Sequence, residues 1–191
     1  MGSTADQSTL APTLWRTFRV LANKTRQDIL ETLCAGPPLH VEAVAAACRI
    51  SEAKASDHLR ALQSRGLLAV ERWGRFVFYR LQADPSVQYA DAVVRMCRAS
   101  VRRRDPIAER IFALTAFTHA RRIALARALA RQPAEAGELA SRCGISRQAL
   151  YRHLDKLQRR GVVEFSDRDH VALVKPKAPL LRDLMELVCA E

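Results

Sequence analysis

The sequence lacks the features of a membrane protein or a disulfide-bonded secreted protein. No run approaches the roughly 18–20 apolar residues of a membrane span, so no membrane partner is expected. The start of the chain has neither the basic nor the apolar part of a secretory signal, and we expect residues 1–12 to form a flexible tail. The five cysteines are an odd, widely spaced set without a Cys-x-x-Cys pair. They argue against a disulfide framework and favour a reducing, cytoplasmic setting.

Motifs for catalysis and for metal binding are also missing. The sequence contains no Gly-rich phosphate loop, no nucleophile motif and no paired carboxylates, so neither an enzyme nor a cofactor is predicted. His58 and His153 have no partner ligands at a suitable spacing. We expect each of them to pack or to hydrogen-bond a phosphate.

What the chain has in excess is positive charge. It carries 31 basic and 20 acidic residues, a net charge of +11, and 49% of its residues are hydrophobic, too many for a disordered chain. Counted by halves, residues 1–100 carry 13 − 9 = +4 and residues 101–191 carry 18 − 11 = +7. Such a surplus suits a polyanionic partner, because releasing counterions from phosphates drives much of nucleic-acid affinity.

One unit occurs twice, since fourteen residues recur at an ungapped offset of 95. The recurring pairs are Arg26/Arg121, Leu30/Leu125, Ala35/Ala130, Pro38/Pro133, Ala45/Ala140, Cys48/Cys143, Ile50/Ile145, Ser51/Ser146, His58/His153, Leu59/Leu154, Leu62/Leu157, Gln63/Gln158, Arg65/Arg160 and Gly66/Gly161. We place the two domains at 13–104 and 105–191, because the residue before Pro106 resists helix and Pro106 suits a first turn.

Hydrophobic periodicity predicts the same order of elements in both copies. In the first copy the predicted helices are 13–23, 25–34, 41–48, 52–65 and 86–103, and the strands are 68–72 and 76–81. In the second copy the helices are 107–117, 121–131, 135–143, 147–160 and 179–190, and the strands are 162–165 and 171–175. The three-residue turn at 49–51 predicts a helix-turn-helix whose second helix is the recognition helix, and the hairpin around 73–75 predicts a wing.

The first copy resembles the ArsR-type winged-helix transcriptional repressors over nearly all of residues 14–104. The resemblance lies in the Leu-Ala-Asn-x-Thr-Arg entry to the second helix, the Ser-x-His-Leu-x-x-Leu recognition helix and the Gly74-Arg75 wing. The second copy is similar but diverged, with a shorter, more acidic wing, SDRDH. In that family the first and last helices form the dimer interface. The resemblance therefore implies a mainly α fold with small β-hairpin wings, in which two tandem winged helix-turn-helix domains form an intrachain pseudo-dimer.

A recognition helix in a major groove needs polar side chains near its start and cations toward the phosphates. The second recognition helix offers them more strongly than the first, where affinity must depend on the wing arginines. The predicted DNA-binding residues are Ser146, Arg147, Gln148, Tyr151, Arg152, Lys156 and Arg159 in the second copy, with Arg160 on the phosphates, and Ser51, Lys54, Ser56, Asp57, Arg60, Arg72 and Arg75 in the first. The asymmetry predicts two unlike half-sites, or one copy that reads DNA strongly and one that reads it weakly.

The metal-sensing sites that occur in the family are missing, since the third helix reads VEAVAAAC and the closing helices contain no histidine. A second sensing mode in the family uses one cysteine on the second helix and one on the closing helix. Cys34 and Cys97 lie on those helices, although Cys34 comes later than that pattern places it. Cys48 and Cys143 are expected in the core.

The sequence thus predicts a cytoplasmic, sequence-specific regulator that binds double-stranded DNA and represses transcription by occluding promoters. Two alternatives stay open: a tandem winged-helix scaffold that binds proteins, and a DNA-binding sensor controlled by a thiol or a small ligand. The chain acts either as a monomeric pseudo-dimer or as a homodimer, and the sequence does not identify an effector.

Overall fold

The computed structural model describes residues 13–166 and 169–190, which form two copies of one winged unit. The predicted tail at residues 1–12 lies outside the described residues. The first copy comprises α1 (Leu14–Leu21), α2 (Lys24–Ala35), β1 (Leu39–His40), α3 (Val41–Cys48), α4 (Glu52–Gln63), β2 (Leu68–Trp73), β3 (Phe76–Leu81) and α5 (Ala90–Arg103). The second comprises α6 (Ile107–Leu114), α7 (Ala120–Arg131), β4 (Ala134–Glu135), α8 (Ala136–Arg142), α9 (Arg147–Gln158), β5 (Val163–Phe165), β6 (His170–Leu173) and α10 (Pro179–Cys189).

Each wing is part of a three-stranded antiparallel sheet rather than a two-stranded hairpin. The strand orders are β1-β3-β2 and β4-β6-β5. The extra strand comes from the residues just before α3 or α8, where Leu39 pairs with Tyr79 and Ala134 with Val171. A strand of two residues is too short to show the alternation of apolar and polar side chains by which strands are predicted. The third strand ties the start of each helix-turn-helix to its wing.

The closing helix of the first copy begins at Ala90, not at residue 86 as predicted. Ser86 donates to Asp84 through its backbone N and its Oγ, at 2.9 and 2.7 Å, and Tyr89 adopts a left-handed φ of 68°. These contacts keep residues 84–89 in turns. The helix is therefore 14 residues long, about 21 Å at 1.5 Å per residue, instead of the predicted 18 residues and 27 Å.

Other differences are confined to the ends of helices and strands. Both recognition helices stop two residues before the predicted end, at Gln63 and Gln158. The first helix of the second copy ends at Leu114 and continues as a 3-10 turn over Thr115–Phe117. The last turn of a helix often tightens in this way because its final carbonyls lack helical partners.

The two copies share one hydrophobic core. The Phe18 ring of α1 lies 6.3 Å from the Phe117 ring beside α6, and both side chains are fully buried. Helix α1 also contacts α6, and the closing helices α5 and α10 contact each other. The first and last helices of both copies therefore pack together within one chain, which is the predicted pseudo-dimer arrangement.

Candidate nucleic-acid interface

Each recognition helix starts at a serine whose side chain caps it. The Ser51 Oγ accepts a hydrogen bond from the backbone N of Lys54 at 3.4 Å, and the Ser146 Oγ accepts one from the backbone N of Ala149 at 3.3 Å. An N-cap serine satisfies a helix N–H that would otherwise lack a partner. Both serines are exposed, so the hydroxyl hydrogen of each can still be donated to an outside acceptor.

Helix α9 separates its apolar and polar side chains into two faces. The buried face consists of Ala149, Leu150, Leu154 and Leu157. The exposed face near the helix start consists of Arg147, Gln148, Tyr151 and Arg152. The side chains expected to read DNA in the second copy are thus brought together on one open surface.

Two of these side chains are positioned by neighbouring elements. The Tyr151 hydroxyl donates to Asp169 Oδ1 at the end of the wing loop, and this hydrogen bond raises the pKa of Tyr151. The Arg147 guanidinium passes over Gly137 of α8, where a β-carbon would stand 2.9 Å from its Nη2. Because Gly137 has no side chain, the Arg147 guanidinium can lie against α8 at this position.

The end of α9 is crowded with cations. Arg159 is exposed and pairs with Asp155 at 2.9 Å. Lys156 is half-buried, and burial followed by the nearby charges of Arg160 and Arg122 lowers its pKa. Such crowding attracts an anion, since an added negative charge relieves the mutual repulsion.

The first recognition helix is electrically neutral by comparison. Lys54 is exposed and Ser56 is half-buried, while Asp57 and Arg60 form an exposed ion pair at 2.5 Å. Over residues 52–63 two cations balance two carboxylates, whereas over residues 147–158 three cations face one carboxylate, a balance of +2.

The first wing presents both predicted arginines together with aromatic side chains that the sequence did not single out. Arg72 and Arg75 are exposed, and the Arg75 guanidinium lies 5.0 Å from the centre of the Phe76 ring. Trp73 is 64% exposed at the wing tip, next to the tight turn at Gly74, whose φ is 59°. The sequence signal that could have identified this aromatic surface is a tryptophan at the end of an alternating strand, next to the Gly74 turn.

The recognition-helix histidines lie among cations. The rings of His153 and His119 are 4.7 Å apart. Burial and then the charges of His119 and neighbouring arginines lower the pKa of His153. The pKa of His58 is also lowered, first by burial and then by the charge of Arg26. Neither histidine belongs to a group of three or more His, Cys, Asp or Glu residues able to hold a metal within residues 13–166 and 169–190.

A family model described as a helix-turn-helix domain matches the chain twice, at residues 21–71 and 117–164. These 51 + 48 = 99 residues are more than half of the 191 in the chain. The chain belongs to this family. The predicted tandem winged helix-turn-helix protein of the ArsR type is confirmed by one family match in each copy and by the wing that follows each recognition helix. Family membership supports a DNA-binding transcriptional regulator.

Two solved structures are also similar to this helix-turn-helix protein. One is the NMR structure of the homodimeric winged helix-turn-helix DNA-binding domain of a possible ArsR-family transcriptional regulator from Mycobacterium bovis. It has 32% identity and a TM-score of 0.39, and the match covers 53% of this chain and 87% of that one. The other is human N-acetylserotonin methyltransferase with SAM, at 22% identity and a TM-score of 0.35, covering 80% and 59% respectively. That likeness gives no ground for assigning an enzymatic activity. No curated protein matches the chain.

One cation of the helix-turn-helix protein is already engaged by its neighbours. Arg160, expected to hold a phosphate, is half-buried and its Nε donates to Thr115 Oγ1 at 2.8 Å. Its guanidinium also lies 4.0 Å from the centre of the Phe112 ring. Arg160 therefore links the end of α9 to the residues of the first helix of the second copy and its 3-10 turn, and its phosphate contact stays a prediction.

The two cysteines considered for redox sensing lie on neighbouring helices, α2 and α5. Cys97 is buried, and burial raises the pKa of its thiol to about 12. Cys34 is half-buried, and both thiols are free. Because the thiolate is the reactive form, a thiol as strongly protonated as Cys97 is a poor nucleophile.

Within the described part of the chain, no helix is long and apolar enough to span a membrane.

Proposed function

We propose that this chain is a sequence-specific, double-stranded DNA-binding transcriptional regulator that acts in the cytoplasm as a repressor. Helix α9 would supply the main base readout. Repression would follow from occupying a promoter.

The observation that carries the proposal is the exposed set at the start of α9. Arg147 and Arg152 can each donate to the two acceptors of guanine. Gln148 can donate one hydrogen bond to adenine and accept another from it. Each such contact is worth about 1–3 kcal/mol of discrimination against the wrong base. All three side chains are exposed. Three leucines of the opposite face anchor the helix in the core, so the readout residues sit on a rigid element.

The first copy would bind a weaker half-site through Lys54 and Ser56 on α4 and through Arg72 and Arg75 on the wing. Because the copies pack as a pseudo-dimer, we propose that α4 and α9 enter successive major grooves about one helical turn, roughly 34–36 Å, apart. The different charges of α4 and α9 then make the operator asymmetric, with its stronger half under the second copy.

The test is to select duplexes from a random library and to measure binding by fluorescence anisotropy at several salt concentrations. Arg147→Ala and Arg152→Ala are expected to weaken the selected operator and to relax its sequence preference. Arg159→Ala should weaken binding to all duplexes alike. The loss should be smaller than the loss from removing an unpaired cation, because Arg159 already pairs with Asp155. Arg131→Ala, an exposed arginine at the far end of α7, is the matched control and should bind like the wild type.

A protein-binding scaffold is the second candidate, and the exposed Trp73 and Phe76 of the first wing favour it. Salt dependence distinguishes the two functions. Log affinity for duplex DNA must fall steeply and linearly with log salt if several phosphates are bound. If affinity for every duplex is weak, and Arg147→Ala changes neither affinity nor preference, DNA readout by the second copy is wrong and the scaffold takes its place.

A further inference from the structure

A groove lined by four arginines lies beside the first recognition helix. Its walls come from α1, from the start of α2 and from the residues just after α4, and it encloses about 410 Å³. It is lined by Trp15, Arg16, Arg19, Val20, Arg26 and Arg65, which we call the arginine groove. None of these lining residues, all within the described part of the chain, is a carboxylate.

The arginine groove keeps donors available at Arg19 and Arg65. Arg19 is exposed, whereas the Arg16 guanidinium lies 5.1 Å from the centre of the Trp15 ring and the Arg26 Nε donates to the Val20 carbonyl. The Nε of Arg65 is buried and has no hydrogen-bond partner within the described residues. A buried donor without a partner is destabilising, so an acceptor brought into the groove would recover that loss.

The groove borders the recognition helix. Lys54 and His58 are four residues apart and so lie on one side of α4, and Arg65 follows the end of that helix by two residues. Arg26 is close enough to His58 for its charge to help lower the pKa of that histidine. The groove therefore adjoins the side of α4 that carries Lys54 and His58.

The corresponding positions of the second copy carry fewer cations. The hydrogen bonds from Arg26 Nε to the Val20 carbonyl and from Arg122 Nε to the Ala116 carbonyl match the two copies at an offset of 96 in this region. The positions of Trp15, Arg16 and Arg19 are then occupied by Ile111, Phe112 and Thr115. The two copies thus carry their cations in different places: on the recognition helix itself in the second, and beside it in the first.

We infer that the arginine groove binds the sugar–phosphate backbone of the duplex whose major groove α4 enters, and so supplies the phosphate contacts that the neutral α4 lacks. This inference rests on the proposed function. Duplex backbone is favoured over a free anion because the groove adjoins the recognition helix, through Arg65 just after α4 and Arg26 beside His58. Each phosphate neutralised contributes about 0.9 to the slope of log affinity against log salt.

The first experiment measures that slope for Arg19→Ala, for the charge reversal Arg19→Glu, and for Arg131→Ala as the matched control. Arg19 is exposed and forms no ion pair within residues 13–166 and 169–190. Its loss is expected to reduce the slope by about 0.9, and the charge reversal by at least as much, with sequence preference unchanged. Arg131→Ala should leave the slope as in the wild type.

The second experiment uses Trp15 as a reporter inside the groove. The chain has only two tryptophans, so in Trp73→Phe the emission comes from Trp15 alone. Duplex should shift this emission, and adding Arg19→Glu should abolish the shift. Inorganic pyrophosphate is titrated in parallel. A response to pyrophosphate at lower concentration than to duplex would identify a small-anion site and overturn the backbone assignment.

The outcomes separate this inference from the proposed function. If the wild type binds duplex with a steep salt slope and Arg19→Ala behaves like Arg131→Ala, the arginine groove is not a backbone site while DNA binding stands. If the wild type shows no salt-dependent duplex binding, the proposed function fails and the inference fails with it. Far-ultraviolet circular dichroism of each variant verifies that helix content is retained.

Discussion

Arg110 of the second copy pairs with Glu31 of the first, with 2.7 Å between Nη2 and Oε1. The two side chains are unequally exposed, since Arg110 is 4% accessible and Glu31 is 41%. The Nε and Nη1 of Arg110 have no hydrogen-bond partner within the described residues. A buried cation at the junction of the two copies therefore depends on one carboxylate that remains partly in water.

This imbalance predicts unequal effects of removing the two partners. Glu31→Ala leaves a buried guanidinium without a counter-charge and should lower the free energy of unfolding by about 2–3 kcal/mol, less than the 3–5 of a fully buried pair. Arg110→Met should change it by less than about 1 kcal/mol, because Glu31 remains hydrated and methionine fills the space. Urea unfolding of both variants measures the difference. An equal loss of unfolding free energy in both variants would mean that the burial of Arg110 does not determine the effect of breaking the pair.

The pseudo-dimer could be predicted because the residues that recur at an offset of 95 mark two copies of one unit, and the same order of elements follows in each. The faces of α9 could be predicted because leucines at helical spacing fix them. The role of Arg160 could not, since its partners Thr115 and Phe112 lie 45 and 48 positions away in the sequence. The same holds for the arginine groove, whose residues come from three elements and show no spacing pattern. Whether a cation can bind an outside partner depends on contacts between elements that are distant in the sequence.

Stability should fall as the pH drops below about 6.5. Burial is the largest cause of the lowered pKa values of His58, His119 and His153, whose ordinary value is 6.5. Below that pH the unfolded chain binds more protons than the folded chain, so the free energy of unfolding decreases as the pH falls. Thermal unfolding from pH 8 to pH 5 measures this.

His153→Gln is expected to flatten that pH dependence, because it removes one of the three groups. His170→Gln is the matched control, since His170 is not among the groups that shift His153. If His153→Gln shows the full wild-type decline between pH 7 and pH 5, His153 does not take up a proton on unfolding in that range.

The cysteines should not control DNA binding. A disulfide or persulfide link between α2 and α5 needs the Cys97 sulfur, either as the attacking thiolate or as the sulfur that is first oxidised and then attacked. Cys97 is buried, which raises the pKa of its thiol to about 12 and restricts the access of an oxidant. We expect a mild oxidant or a persulfide donor to leave operator affinity unchanged in the wild type and in Cys34→Ser. A loss of affinity in the wild type that Cys34→Ser abolishes would instead support the thiol sensor.

Replacing Arg49 by glycine should stabilise the first copy. Arg49 ends α3 in the left-handed region, with φ 54° and ψ 47°, and the corresponding residue of the second copy is Gly144, with φ 60°. The left-handed conformation costs a side chain about 1–2 kcal/mol, and glycine gives back about 0.4–1 through the greater entropy of the unfolded chain. The net gain is about 0.5–1 kcal/mol, a rise of about 2 °C in Tm. Gly144→Ala should show the opposite sign in the same calorimetric measurement. A lower Tm for Arg49→Gly would mean that the exposed Arg49 side chain makes a stabilising contact that outweighs its backbone strain.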